Sequence, residues 1–337
     1  MNKYENLKVL IAYNEPFRND GDHLEFISQA AVREEAEGVY NALQNLGLPA
    51  SFLPVSDFES SISRVRAFSP DVIFNLCEGY RGDAHLEMHM AALWEMLGIP
   101  YTGNPPLTLG LAQNKILTKQ LLQANHIPTP DYEVFTAIPG NTSLDFPLIA
   151  KPAMEDASVG ITQNSVINNP DELQQSVGEL LAIYKQPVLV EKFIGGREFN
   201  ISIFGNNPPQ VLPISEINFQ DLEAHQHAIT SYEAKWLPEH PLFQKTPPVC
   251  PAPVSGQLKQ RLEETALRVY QIIGGRDYGR VDLRTDQSGG IFVLEYNPNP
   301  DICPDAGYSR ALAAADIKYQ DFVLKIIRDA KQRMNND

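Results

Sequence analysis

The sequence predicts a parallel, doubly wound α/β sheet followed by two further mixed units, and three observations carry that expectation. Apolar strands and amphipathic helices alternate over roughly the first hundred residues; a Pro- and Thr-rich segment, Asn104 to Thr108, interrupts them; and a long Pro-broken stretch, Pro238 to Pro253, falls in the last third. The length, 337 residues, suits two or three units with sizeable cores, so neither disulfides nor structural metals are required.

In order, Val9 to Tyr13 is a short apolar strand, and Ala30 to Leu46 has helical apolar spacing ending at Gly47. Asp71 to Leu76 is the next strand, Met88 to Leu97 a helix stopped by Gly98, and Ile99 to Tyr101 a third strand. Such a β-α-β-α-β order binds ligands beyond the strands' carboxyl ends, where Asn14, Glu15, Asn75 and Glu78 fall. After Asn104 to Thr108, helix Leu111 to Asn125 opens a second unit with strands Leu148 to Lys151, Val188 to Lys192 and Phe199 to Phe204, and helix Asp171 to Tyr184. From about Val211 a third unit carries helix Gln257 to Ile273 and strands Tyr278 to Arg284 and Ile291 to Tyr296; helix Tyr319 to Lys331 closes the chain.

Charge excludes whole classes of partner. With 27 Lys and Arg against 42 Asp and Glu, the net charge is −15, and the densest basic stretches, Lys325 to Arg333 and Arg261 to Arg268, are interleaved with acids. That argues against nucleic acid. No run of 18 apolar residues occurs, and the odd, scattered cysteines Cys77, Cys250 and Cys303 fit a reducing compartment, so a cytoplasmic protein away from membranes is expected.

Four lysines at element edges, Lys115, Lys151, Lys192 and Lys235, can converge on an anion; four ordinary surface lysines are the alternative. Lys151 follows the apolar run PLIA, which places its ammonium at a strand rim. The loop DASVGI, with Ser158, Val159 and Gly160, can wrap phosphate with backbone N–H groups or be a plain turn; neither GxGxxG nor GxxxxGK[ST] is present. In VLVEKFIGGREF a strand leads into Glu191, Lys192 and Phe193, and Glu198 follows the Gly195-Gly196 turn, as at a nucleotide edge or a simple salt-bridged strand end. The most specific cluster is GRVDLR with VLEYNPNPDI. Arg280 and Asp282 face one side of a strand, as do Glu295 and Asn297, so neighbouring strands would join hard oxygen ligands suited to Mg²⁺ beside Arg280. A structural Arg280–carboxylate ion pair is the alternative.

The ordered set Lys115, PLIAKP, SVG, EKF with Glu198, YEAKW, GRVDL and LEYNPNP resembles the ATP-grasp superfamily, most closely its D-alanine–D-alanine ligase branch, over about residues 70 to 330. The resemblance implies a Rossmann-like N-terminal domain at 1–110, then a two-lobed ATP-grasp fold, both lobes α+β: a central lid at 111–208 and a catalytic domain at 209–337. It implies phosphate binding by Lys115, Lys151, Lys235 and the Ser158–Val159–Gly160 loop, and an adenine hinge at Glu191, Lys192 and Phe193 with Leu294 under the ring. Glu198 would hold ribose, Asp282, Glu295 and Asn297 two Mg²⁺ ions with Mn²⁺ as a substitute, and Arg280 the oxyanions, with Lys235 and Ser158 also catalytic. The implied activity is an ATP-dependent, ADP-forming carboxylate–amine ligase passing through an acyl phosphate, on amino acid or peptide substrates.

Departures from that family fall on the substrate side. AYNEPFRNDGDHLEF leaves Glu15, Glu25 and Glu34 as candidates for holding an amino group, and NLCEGYRGDAHLE adds Glu78 and Glu87, against solvated loop acids as the alternative. Trp236 stands where Tyr is common, and Asn299, Asp301 and Asp305 lie in NPNPDICPDAGYSR, where acids would repel a carboxylate unless Arg310 compensates. Cys77 and Cys303 read as packing residues. Three functions are therefore carried forward: a ligase of altered specificity, a true D-alanine–D-alanine ligase, and a nucleotide-binding protein without turnover. Family members often form homodimers, which the resemblance extends to this chain.

Overall fold

The computed structural model describes residues 7–16 and 23–333, with residues 23–30 as backbone only. Its described strands form three sheets. In the first, Val9–Asn14 lies between Ala50–Val55 and Val72–Leu76, all parallel. Val9–Asn14 and Val72–Leu76 are buried along their whole length because both faces are covered, which is why their sequences read as continuous apolar runs. Helices His23–Asn45 and Tyr319–Arg333 cover one face through Val32, Val39, Phe322 and Ile326; Phe58–Phe68 and Glu87–Met96 cover the other through Val65, Met90 and Trp94.

Two expectations for this unit are corrected. The strand Ile99 to Tyr101 reduces to a single bridge, Tyr101 to Ile73, because Pro100 has no N–H to donate. A strand, Ala50–Val55, and a helix, Phe58–Phe68, occupy the stretch left unassigned. The strand is an edge, where Pro54 is tolerated, and the helix is started by Asp57, whose side chain accepts from Ser60 N.

The second sheet is antiparallel, in the order Tyr132–Phe135, Val188–Lys192, Leu148–Pro152, Val166–Ile167, with helix Pro170–Tyr184 burying Leu173, Val177 and Leu180 against it. The third sheet runs Pro248–Val249, Ser215–Ile217, Glu198–Phe204, Tyr278–Thr285, Ile291–Asn297, and Gln210–Val211 pairs with Glu198–Phe204. Phe199 to Phe204, expected in the second unit, is thus central to the third sheet. The chain crosses at Gly195-Gly196, where a Cβ on Gly196 would sit 1.7 Å from the Thr285 carbonyl oxygen, so no side chain fits. The predicted helix Leu111 to Asn125 is two helices, Pro106–Gln113 and Lys115–Ala124, broken where the Asn114 side chain caps Leu117 N at 3.1 Å. Ala112 and Leu122 of these helices pack with Phe199, Val281 and Val293 of the third sheet.

In the segment Asn104 to Thr108, expected as a boundary, the two end residues are buried and hydrogen-bonded while Leu107 is exposed. Asn104 Nδ2 donates to the carbonyls of Tyr278 and Pro298 at 2.8 and 2.6 Å, and Thr108 Oγ1 donates to that of Ile273 at 2.9 Å. These bonds tie the segment to the start of strand Tyr278–Thr285, to Pro298 just after strand Ile291–Asn297 and to the end of helix Gly256–Ile272. Among the described residues, no helix is long and apolar enough to cross a membrane.

Candidate active site

The three sheets border one cavity of about 1350 Å³. The edge between Tyr278–Thr285 and Ile291–Asn297 supplies its floor. The register sets Asp282 opposite Glu295 and Arg280 opposite Asn297, as period two requires. Arg280 makes a two-pronged pair with Asp282, Nε to Oδ1 at 2.7 Å and Nη2 to Oδ2 at 2.9 Å, so the ion pair weighed as an alternative exists within the cluster. Asn200 Nδ2 adds a bond to Asp282 Oδ1 at 2.8 Å.

These oxygens fit a hard divalent cation. Burial and, against the pull of Lys115, the nearby Asp282 raise the Glu295 carboxyl. Among the described residues no hydrogen-bond donor reaches the Glu295 side chain, while Asn297 Oδ1 accepts only from Asn299 N, at 2.9 Å. Asp282, buried, and Glu295, half-buried, form a carboxylate pair with acceptor capacity to spare, which is what magnesium coordination uses.

Opposite lies the second sheet. Lys151 and Glu191 line the cavity, but Lys151 is 7% exposed and paired to Glu191, not free at a rim. Burial would raise the Glu191 carboxyl; Lys119 and Lys151 overcome this and hold it down at about 2. Lys192 and Phe193 follow, and Ile149, Val166 and Ile229 with Phe193 form an apolar patch, with Leu294 lining the cavity from the third sheet. Glu198 accepts from Arg284 Nε and Nη2 at 3.0 and 2.8 Å and from Thr230 Oγ1 at 2.8 Å. Lys235 lines the cavity, its ammonium lowered by burial and by Arg280.

The loop after Leu148–Pro152 carries left-handed Ala157 and Ser158, at φ 55° and 62°, then Gly160 at 75°. A Cβ on Gly160 would lie 2.8 Å from Pro152 Cγ, so glycine is needed twice over, for φ and for space. Turn bonds to Asp156 O and Ser158 O consume the N–H groups of Val159 and Ile161, both at 3.0 Å, so fewer amides are free for an anion than the loop sequence suggests. Two side chains tie the loop down: Ser158 Oγ donates to Thr230 O at 3.1 Å, and Trp236 Nε1 to Ala157 O at 2.9 Å. Ser158 and Val159 line the cavity, whereas Gly160 and Lys115 stand behind the lining. Lys115 donates to Glu155 O and reaches Asp156 Oδ1 at 3.4 Å. Burial would lower its ammonium, but Asp156 and Glu295 raise it.

The remaining end of the cavity is acidic. Glu78, Glu87, Asn299, Asp301 and Asp305 line it, with Glu34 and Glu35. Burial first, then Asp301, pushes the Glu78 carboxyl up to about 8, and burial with Asp156 and Glu78 raises Glu87 well above its usual range. Glu35, absent from the sequence candidates, is 4% exposed and raised by burial and Asp301. Arg310 lines this end and donates to Asp305 O at 2.5 Å. Glu15 is exposed and outside the lining, and the side chain of Glu25 lies outside the described residues. Asn75, expected at the site, is spent on Trp94 Nε1 at 2.8 Å. Cys77 sits in the core below, while Cys303 lines the cavity; burial raises both thiols, which suits packing.

Two of the residues missed had signals. Arg284 continues the period-two series Arg280, Asp282, and Lys119 lies one helical turn beyond Lys115. Glu35 had none beyond its neighbour Glu34, because its role depends on Asp301, far along the chain.

Comparison with known proteins accords with this geometry. The family described as D-ala D-ala ligase C-terminus matches residues 111–328. A Sinorhizobium fredii protein described as uncharacterized protein y4sG is 35% identical over 78% of this chain and 75% of its own length. A D-alanine–D-alanine ligase of Pseudomonas putida is 30% identical over 87% of this chain and 86% of its own. The structure of D-alanine–D-alanine ligase from Bacillus anthracis complexed with ATP has the same fold, with a TM-score of 0.75 at 20% identity over 98% of this chain and 99% of that one.

Proposed function

The chain belongs to the D-alanine–D-alanine ligase family of ATP-grasp, ADP-forming carbon–nitrogen ligases, and from that premise we propose that it joins amino acids, or an amino acid and a short peptide, with a specificity shifted from D-alanine alone. The observation that carries the reading is the cross-strand set Arg280, Asp282, Glu295 and Asn297 at the floor of a cavity walled by Lys151 and Lys235.

In this reading the purine lies in the apolar patch of Ile149, Phe193 and Ile229 over Leu294, with the backbone of Glu191 to Phe193 at its edge. Glu198, already oriented by Arg284, accepts from ribose hydroxyls. Lys115, Lys151, Lys235 and the Ser158 to Gly160 loop meet the phosphates. Asp282, Glu295 and Asn297 would hold magnesium, which when bound neutralises charge on the transferring phosphoryl group. A substrate carboxylate oxygen attacks the γ-phosphate of ATP, the bond to the β-phosphate oxygen breaks, and ADP departs, leaving an acyl phosphate. The amine of the second substrate attacks its carbonyl, and Arg280 stabilises the oxyanion. Phosphate then leaves. The sheet of residues 132–192, carrying the loop tied by Trp236, excludes water from the acyl phosphate. The 111–208 span of the lid is narrowed accordingly, since the chain crosses to the third sheet at Gly195-Gly196.

The acidic end takes the amino groups, Glu78 and Glu87 foremost, while Asp301 and Asp305 disfavour a bare second carboxylate. We place the chemistry in the cytoplasm, where ATP is supplied, and leave homodimer formation to a sizing measurement. The test is ADP release with ATP and Mg²⁺ across D- and L-amino acids and dipeptides, with mass detection of products. An amide from a pair other than two D-alanines is expected; the D-alanine dipeptide alone would restore the cell-wall assignment, and silence with retained ATP binding would favour a nucleotide-binding protein.

A further inference from the structure

Lys119 is a sequestered cation, 1% exposed, on the helix Lys115–Ala124. Its ammonium lies 2.6 Å from Glu191 Oε2, donates to Thr129 Oγ1 at 2.6 Å, and sits over the Tyr132 ring, 5.4 Å from the centroid. Glu191 is closed off equally, at 1%, and gives its other oxygen to Lys151. Thr129 Oγ1 donates onward to Val293 O at 2.8 Å, and Val293 N to Pro128 O at 2.9 Å. That bond pair fixes the cluster to the strand that carries Leu294 and Glu295.

A buried lysine is costly, and Glu191 needs only one cation to be neutralised. The charges explain the second one. Lys151 and Glu191 sum to zero; adding Lys119 gives (+1) + (−1) + (+1) = +1. Lys151 and Glu191 line the cavity and Lys119 does not, so Lys119 acts only through its neighbours. Resting on the nucleotide reading above, we propose that Lys119 is a positioning residue: it occupies one oxygen of Glu191, keeps that carboxylate from closing on Lys151 with both, and makes this wall net positive toward the phosphates. With one N–H given to Glu191, the Lys151 ammonium keeps two donors for an anion.

Calorimetric titration of the full chain with ATP and Mg²⁺ tests this without turnover. Lys119→Gln retains hydrogen-bonding capacity but not charge and should weaken ATP binding about tenfold, as loss of a nearby unit charge in a partly screened site does. Lys119→Arg should stay within about threefold of wild type. Lys119→Met, which keeps the aliphatic stem but not the charge, should also lose about tenfold, and it gives a second reading if Lys119→Gln fails to fold. KM for ATP should rise while kcat changes little. Wild-type affinity in Lys119→Gln or in Lys119→Met, or equal losses in Gln and Arg, would overturn the inference alone; no ATP binding by the wild type would overturn the nucleotide reading itself.

Discussion

The two ends of the cavity are built on opposite electrostatic plans. At the end between the second and third sheets most charges are paired, Lys151 with Glu191, Arg284 with Glu198 and Arg280 with Asp282, while Glu295 and Lys235 have no ion-pair partner among the described residues. At the end facing the first sheet stand Glu35, Glu78 and Glu87, whose carboxyls are raised first by burial, then by Asp301 or Asp156, and for Glu35 and Glu87 also by Glu78. A balanced site is rigid and preorganised for one ligand. An unbalanced one is completed by charges a substrate brings. The difference supports the proposed division of labour, in which the paired half takes the nucleotide and the acidic half the amino groups of the substrates.

Breaking the balanced end should have the largest consequences. Glu295→Gln, which keeps shape and removes a charge from the proposed magnesium set, should lower ADP release at least about a thousandfold while the protein stays folded by circular dichroism. Unchanged release would remove Glu295 from the metal set. Arg280→Met should cost about a hundredfold in kcat, the scale of losing an oxyanion donor, and should leave Asp282 without its two-pronged partner. A change confined to KM would show that Arg280 serves binding only.

Trp236 bears on both ends, because it donates to Ala157 O in the loop proposed to meet the phosphates while being a candidate for the substrate side. Trp236→Phe removes one hydrogen bond and should raise KM for ATP about fivefold, the worth of a typical bond. If instead only the amine-substrate preference moves, the indole belongs to the acidic end.

The smallest effect sharpens the acidic end. Glu78 has a folded-state pKa of about 8 against 4.5 unfolded, so the folded chain holds more protons between those values. Its contribution to stability is fullest below pH 4.5, declines as pH rises through the window, and is lost above about 8. Glu78→Gln should flatten this decline and raise Tm at pH 8.5 by about 3 °C. Parallel Tm curves for both proteins would mean that Glu78 titrates normally.

What could be read from the chain follows from how local each signal is. The sequence placed Asp282, Glu295 and Asn297 together because strand periodicity needs only adjacency, and the observed register supplies it. It placed Phe199 to Phe204 in the wrong sheet because the crossing at Gly195-Gly196 is decided by backbone contact with Thr285, 89 positions away in sequence. Strands Ala50–Val55 and Tyr132–Phe135 escaped notice because edge strands are half exposed and lack an apolar run. The Lys119–Glu191–Lys151 triad and the Glu35–Asp301 contact join distant segments, so pairing chemistry gave no local pattern to recognise.

Phosphoryl transfer to a substrate carboxylate leaves an isotopic trace in the released phosphate. An accepted amino acid carrying ¹⁸O in both carboxyl oxygens, incubated with ATP, Mg²⁺ and its amine partner, should yield ADP, an amide and inorganic phosphate containing one ¹⁸O. Unlabelled phosphate, or AMP with pyrophosphate in place of ADP, would contradict it.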